Sequence, residues 1–166
     1  MKAKIHILRT AARRFDFADE GSLLAARRLV IRPSRPCAFF ITGPHGSGKT
    51  TFVNFVLERL GVHRPGSRSR FPKSSRELER VFDQGVLILD DPSRAGFSDL
   101  ARYLKPLGGS YSATMVHFRT PHGVREIPNG LLTFIVSANE RLLTPDLERR
   151  TLLIKMAHGP RTSWPR

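Results

Sequence analysis

The motif Gly43-Pro44-His45-Gly46-Ser47-Gly48-Lys49-Thr50 is the strongest indication of fold in this 166-residue chain. It follows a short apolar run, Cys37–Thr42, which has the length and composition of a buried parallel strand. After it, residues 51–60 place apolar side chains at helical spacing and stop at Gly61. A glycine-rich loop between a buried strand and a helix is the arrangement of a phosphate-binding loop, or P-loop.

The residue types in this loop suit a nucleoside triphosphate. Glycines allow a tight turn in which several backbone N–H groups converge on phosphate oxygens, and the next helix adds its positive N-terminal end. Lys49 is expected to reach the β- and γ-phosphates, and Thr50 is expected to ligate Mg²⁺. ATP and Mg²⁺ are therefore the expected ligands. The residues expected to contact the nucleotide are Gly43, Pro44, His45, Gly46, Ser47, Gly48, Lys49, Thr50 and Thr51.

Two further apolar runs end in polar residues. Residues 86–89 are followed by Asp90 and Asp91, for which we predict Mg²⁺ binding and activation of the attacking water, respectively. Residues 131–136 lead to Asn139, whose amide can hydrogen-bond the γ-phosphate or orient that water. The alternative is a pair of ordinary turns, because Asp-Pro and an Asn after a strand are common turn formers. The succession of loop, carboxylates and amide favours the catalytic interpretation.

Strands and helices alternate along the chain, which predicts an α/β fold with a mainly parallel central sheet. Near the middle of the chain, the turn-rich tetrad Thr120-Pro121-His122-Gly123 predicts a β-hairpin. We divide the chain into an Arg-rich leader, residues 1–36, and a P-loop ATPase domain, residues 37–166. The leader is expected to hold a short helix over residues 21–28.

The charge of the chain is strongly positive. It has 28 Lys and Arg residues against 14 Asp and Glu residues, which gives a formal net charge of +14. Such an excess predicts a polyanionic partner, with nucleic acid ahead of an acidic membrane surface. The alternative is an Arg-biased composition that leaves a solvated basic surface.

Cys37 is the single cysteine, so an internal disulfide and a cysteine-based metal cluster are both excluded. No apolar stretch approaches the length of a membrane span, and residues 1–8 regain charge too quickly for a signal peptide. We therefore expect an intracellular protein without a membrane partner.

The motifs together resemble the superfamily 3 helicases, the AAA+-like ATPases of small DNA virus, plasmid and phage replication, as in papillomaviruses and parvoviruses. The resemblance rests on Gly43–Thr50, Leu89-Asp90-Asp91, Leu107-Gly108-Gly109-Ser110, Ile135-Val136-Ser137-Ala138-Asn139 and Leu147-Glu148-Arg149-Arg150. Family members usually have Thr-Asn or Ser-Asn where this chain has Ala138-Asn139. The resemblance implies a three-layer AAA+-like fold with a projecting β-hairpin. It also implies a hexameric ring that hydrolyses ATP to move 3′ to 5′ along single-stranded DNA in the cytoplasm or a host-cell replication compartment.

The same resemblance suggests two further sites. Arg150, or failing that Arg149, corresponds to the arginine finger that completes a neighbouring subunit's ATP site. The predicted hairpin corresponds to the one that grips DNA in the ring's channel, with Arg119, His122 and Arg125 in place of the family's Lys-His pair. The alternatives are a surface basic pair and a solvated hairpin edge.

One feature departs from the pattern common in this family. No His-hydrophobe-His motif with a downstream Tyr nucleophile is present, so a separate origin-binding or primase protein is an expected partner.

The sequence leaves several alternatives open. The nucleic acid could be RNA in place of DNA. Two other functions also remain open: a non-motor AAA+ loader or switch, and a small P-loop kinase. In a kinase, Asn139 and Arg150 would have no role.

Overall fold

The computed structural model describes residues 10, 14–31, 37–62, 77, 85–93, 98, 115–120, 123–128, 133–139, 143–149 and 151–157. The helices are α1 (Glu20–Ile31), α2 (Lys49–Leu60) and α3 (Pro145–Glu148). The strands are β1 (Cys37–Thr42), β2 (Val86–Asp90), β3 (Met115–Thr120), β4 (Gly123–Pro128), β5 (Thr133–Ala138) and β6 (Thr151–Lys155). None of the described helices combines the length and the apolar character needed to span a membrane.

Four strands form one parallel sheet in the order β2-β5-β1-β6. β1 lies between β5 and β6, and its last residue, Thr42, is paired with Ala138 on one side and Lys155 on the other. Because all four strands run in the same direction, their carboxyl ends lie along one edge of the sheet. The segments that follow β1, β2 and β5 begin at that edge. The predicted α/β fold with a mainly parallel central sheet is confirmed.

Both faces of this sheet are buried, as in a layered α/β fold. On one face, Phe39, Ile88 and Ile135 join a core cluster with residues of α1 and α2. Side chains alternate between the faces of a strand, so Phe40 and Phe134 belong to the opposite face, and each is only 1% exposed. A sheet covered on both faces agrees with the predicted three-layer arrangement.

The chain before β1 packs into the same core. α1 covers the helix predicted over residues 21–28 and extends it at both ends. Upstream of α1, the ring of Phe15 packs edge-on against that of Phe52 in α2, with the centroids 5.1 Å apart. Phe17 forms an antiparallel bridge with Met156, just beyond β6. Residues 15–17 therefore join the end of β6 to the helix that follows the P-loop.

The strands β3 and β4 form a separate two-stranded antiparallel sheet. Their register pairs Thr120 with Gly123, so two residues connect the strands, which is a common length for a tight hairpin. The predicted β-hairpin is thereby confirmed. The two connecting residues, Pro121 and His122, lie outside the described residues.

Candidate functional site

A cleft of about 510 Å³ opens at the carboxyl edge of the central sheet. In parallel α/β sheets this edge is where ligands bind. The lining residues come from the loop after β1, the first turn of α2 and the ends of β2 and β5. They are His45, Gly46, Gly48, Lys49, Thr50, Thr51, Asp90, Asp91, Ser137 and Asn139. The structure thus brings together side chains that the sequence places in three separate segments.

The loop between β1 and α2 is a tight backbone turn. The N–H of Ser47 donates a hydrogen bond to the carbonyl of Pro44 at 3.1 Å. Gly46 and Gly48 have φ angles of +78° and +83°, in the region that favours glycine. The N-cap of α2 is Gly48, so no side chain of this residue caps the first amide groups of the helix. Exposed amide groups at a helix N-terminus favour the binding of an anion.

Gly43 is the first residue of the loop after β1, and it lies beside Met156, just beyond the end of β6. A Cβ atom on Gly43 would lie 2.4 Å from the carbonyl oxygen of Met156 and 2.9 Å from Oγ of Ser47. The N–H of Met156 donates to the carbonyl of Thr42 at 2.8 Å. The N–H of Ala157, which shares a peptide group with the Met156 carbonyl, donates to the carbonyl of Asp16 at 3.1 Å, so the backbone is held on both sides of Met156. Close approach of two backbones therefore requires a glycine at this position.

Gly43→Ala is expected to destabilise the protein by about 2–3 kcal/mol, because a backbone carbonyl must move to make room for the methyl group. Gly46→Ala is the matched control, because a Cβ there meets no atom within 4 Å. Its cost is the positive φ alone, about 1 kcal/mol. Denaturant unfolding of both variants measures the difference. An equal loss of stability in the two variants would contradict the packing argument.

Lys49 places a buried ammonium group in the loop. The residue is 9% exposed, and its Nζ donates to the carbonyls of Gly43 at 3.0 Å and Pro44 at 2.8 Å. Burial lowers the pKa of Lys49, while the carboxylates of Asp91 and Asp90 act in the opposite direction. The hydrogen-bonded carbonyls are neutral, so an anion in the cleft would stabilise the ammonium further.

Thr50 and Asp90 offer a pair of oxygen ligands. The Oγ1 atom of Thr50 donates to the carboxylate of Asp90, 3.1 Å from Oδ2 and 3.4 Å from Oδ1. The described residues contain no group of three or more His, Cys, Asp and Glu side chains that could hold a metal ion. Mg²⁺ is commonly bound through one or two protein oxygens together with phosphate and water. The donors present fit a Mg²⁺ ion that arrives with a nucleotide.

Asp91 and Asn139 lie at the cleft, and both are exposed. Among the residues that the structure describes, Asp91 is the non-glycine residue with a positive φ, +48°. Its N–H donates to the carbonyl of Ser137 at 2.7 Å, and the following Pro92 is buried. These contacts hold the left-handed turn that leaves the Asp91 carboxylate at the edge of the cleft.

The predicted finger and hairpin residues are not among those that line the cleft. Arg149 is exposed at the end of α3, and Arg150 lies outside the described residues. In the hairpin register, Arg119 is opposite Val124 and Arg125 is opposite Phe118. The roles assigned to these residues, and to His122, stay predictions.

Ser137 lines the cleft, although its sequence motif alone predicts no role for it. Its side chain is 1% exposed, and its hydroxyl donates to Oδ1 of Asp90. Asp90 and Ser137 are directly paired in the register of β2 and β5. A buried hydroxyl near the end of a largely apolar strand needs a hydrogen-bond partner, so the Ser at this position is a signal in the sequence. Its partner becomes apparent only once the order of the strands is known.

Comparison with known proteins supports the fold. No protein-family model matches the chain, and no curated protein is significantly similar to it. The apo A form of the NrS-1 C-terminal region has a TM-score of 0.55 and 16% identity over 96% of this chain and 40% of that one. A second apo structure of that region has a TM-score of 0.54 and 14% identity, covering 97% and 41%.

The chain therefore spans about two fifths of the length of these NrS-1 structures. At such low identity, the similarity shows a shared fold. NtrX from Brucella abortus in complex with ADP has a TM-score of 0.47 and 15% identity over 94% of this chain and 40% of that one. Topology, loop geometry and the NrS-1 similarity together define an α/β domain of the P-loop type.

Proposed function

We propose that this chain is a Mg²⁺-dependent ATPase that drives a ring-forming replicative helicase along single-stranded DNA. The observation that carries the ATPase proposal is the convergence of Lys49, Thr50, Asp90 and Asn139 in one cleft. The net charge of +14 and the resemblance to superfamily 3 helicases support the nucleic-acid part of the proposal.

Five side chains of the cleft have a role in the proposed hydrolysis. Lys49 holds the β- and γ-phosphates from a position already fixed by two loop carbonyls. Thr50 and Asp90 would hold Mg²⁺, which would supply positive charge beside the phosphate oxygens. Asp91 accepts a proton from the attacking water, and Asn139 hydrogen-bonds the γ-phosphate. The amide groups at the start of α2 add further donors to the phosphates.

A second subunit supplies the remaining positive charge in this proposal. Arg150, or Arg149 in its place, acts as the finger on a neighbouring cleft, where its planar fork holds charge on the transferring phosphoryl group. Arg149 is exposed at the end of α3, just before β6, so this segment is at the surface of the subunit. A homo-oligomer, a hexamer in the family that the chain resembles, follows from this role.

The hairpin of β3 and β4 is the proposed contact with single-stranded DNA. Arg119 and Arg125 lie on its two strands, and His122 lies in the connection between them. Cationic side chains on a narrow ribbon suit the phosphate backbone, which makes the binding independent of sequence and sensitive to salt. A separate origin-binding or primase protein would supply specificity.

The proposed function predicts how the ATPase rate depends on protein concentration and on single-stranded DNA. The ATPase rate per chain is expected to rise with protein concentration, because the finger acts between subunits, and to rise again on addition of single-stranded DNA. In the Arg119→Ala/Arg125→Ala variant, single-stranded DNA should no longer raise the ATPase rate by more than a small part of the wild-type increase. The slope of the logarithm of the DNA-binding constant against the logarithm of the salt concentration should fall in magnitude by about 1.4, or 0.7 for each lost phosphate contact. Steady-state ATPase assays and salt-dependent binding titrations measure both effects.

The matched control for this variant is Arg27→Ala/Arg28→Ala, which removes the same charge from the exposed face of α1. An equal change of slope in the control would show a general charge effect and would contradict the hairpin assignment.

The same assays distinguish the alternative functions. An ATPase rate that is independent of DNA and of protein concentration, but increases with a small phosphoryl acceptor, would indicate a kinase. ATP hydrolysis stimulated by DNA without strand separation would indicate the loader or switch.

A further inference from the structure

The hydroxyl of Ser137 lies directly behind the carboxylate of Asp90. It is buried and donates to Oδ1, from the strand that separates β2 from β1 in the sheet. Thr50 approaches the same carboxylate from α2 and is closer to Oδ2, at 3.1 Å, than to Oδ1, at 3.4 Å. Asp90 is therefore held between two hydroxyl groups, and the oxygen nearer Thr50 is the one that Ser137 does not engage.

The main chain of Ser137 holds the next carboxylate residue as well. Its carbonyl accepts the N–H of Asp91 at 2.7 Å, at the residue with the left-handed backbone. Two residues further along the chain, Asn139 reaches the same cleft. One position of β5 thus contacts the side chain of Asp90 and the backbone of Asp91, and it lies next to the segment that carries Asn139.

We propose that Ser137 is a positioning residue for the Mg²⁺ site, which fixes the Asp90 carboxylate toward Thr50 and couples it to the strand that leads to Asn139. This inference rests on the proposed function. Without the hydroxyl, the carboxylate of Asp90 is free to rotate away from Thr50, so metal binding weakens. The phosphates are contacted by Lys49 and the loop amides, which do not bond to the Ser137 hydroxyl, so metal-free nucleotide binding is retained.

The test measures the affinity of a non-hydrolysable ATP analogue over a range of Mg²⁺ concentrations and in EDTA. Ser137→Ala is expected to raise, by about tenfold or more, the Mg²⁺ concentration at which the gain in analogue affinity is half-maximal. This is the usual cost of removing a partner that orients a metal ligand. The affinity of Ser137→Ala in EDTA should equal that of the wild type. Ser137→Thr, which keeps a hydroxyl, should show the Mg²⁺ dependence of the wild type. Ser137→Cys, which fills the same space with a weaker donor, should shift it like alanine.

Two controls separate positioning from a general effect of burial. Thr133→Val removes another buried hydroxyl from the start of the same strand and should leave the Mg²⁺ dependence unchanged. In an Asp90→Ala background, Ser137→Ala should have no additional effect, because the interaction is already lost. Melting temperatures of all variants report whether the fold is retained.

The outcomes distinguish this inference from the function beneath it. Equal Mg²⁺ dependence in the wild type and Ser137→Ala would overturn the positioning role and leave the ATPase proposal intact. The same would follow from an equal shift in Thr133→Val, or from an effect of Ser137→Ala that persists without Asp90. A wild-type protein that binds no analogue in the presence of Mg²⁺ would overturn both.

Discussion

Replacing Lys49 with methionine is expected to lower ATP turnover by about 10²–10³-fold, the usual cost of removing one fixed donor from a site of developing charge. Methionine keeps the apolar stem of the lysine and removes the ammonium. That group is held by the carbonyls of Gly43 and Pro44 before any ligand binds, so little reorganisation is needed when phosphates enter. Steady-state hydrolysis measures the loss.

A stability measurement on the same variant separates loss of chemistry from loss of fold. Burial lowers the pKa of Lys49, so the charged lysine is disfavoured in the folded protein relative to the unfolded chain. The wild type should therefore gain stability as the pH rises from the lowered pKa toward the ordinary lysine value, because the unfolded chain then binds more protons. Lys49→Met should lack this gain.

Lys155→Met is the matched control for Lys49→Met. Lys155 is exposed, lies outside the cleft and forms a 3.6 Å ion pair with Asp19. An exposed pair of this kind contributes at most about 1 kcal/mol, so turnover should be unchanged. Wild-type turnover in Lys49→Met would contradict the phosphate-binding role of the loop.

Asp91→Asn is expected to lower the hydrolysis rate by about 10²–10⁴-fold, the usual contribution of a positioned base, while nucleotide affinity stays close to that of the wild type. Asparagine is the suitable replacement because Asp91 has a φ of +48°, and Asn tolerates this left-handed conformation. The bond from the Asp91 N–H to the Ser137 carbonyl is retained as well. Single-turnover hydrolysis and equilibrium binding measure the two effects separately.

The control for Asp91→Asn is Glu58→Gln, which neutralises an exposed carboxylate on α2 outside the cleft. It should hydrolyse ATP at the wild-type rate. If Asp91→Asn does the same, the base lies elsewhere. If instead it loses nucleotide binding in parallel with hydrolysis, Asp91 supports the cleft and does not act on the attacking water.

The sequence predicts the parts of this structure that depend on neighbouring residues. The apolar runs that become β1 and β2 are bounded by a glycine-rich loop and by carboxylates, so their type and limits follow from local pattern. The hairpin follows in the same way from the tetrad at residues 120–123. The pairing of Lys49 with loop carbonyls is also local, since all its acceptors lie within six residues.

The other features of the fold and of the cleft depend on which strands are neighbours in the sheet. Ser137 contacts Asp90 because β5 lies beside β2, although 47 residues separate them in the chain. Gly43 requires the absence of a side chain because β6 ends beside it, a constraint set by Met156 more than 100 residues later. The packing of Phe15 on α2 likewise makes the leader part of the core. Periodicity of the sequence gives the elements but not this order of strands.

All the proposed roles require the cleft at Gly43–Thr50 to bind ATP together with Mg²⁺. Isothermal titration with a non-hydrolysable ATP analogue measures this binding for the wild-type chain and for Lys49→Met, in Mg²⁺ and in EDTA. We expect saturable binding of one nucleotide per chain that weakens in EDTA and is largely lost in Lys49→Met. Absence of saturable binding in Mg²⁺, or equal binding by Lys49→Met, would contradict the proposed roles.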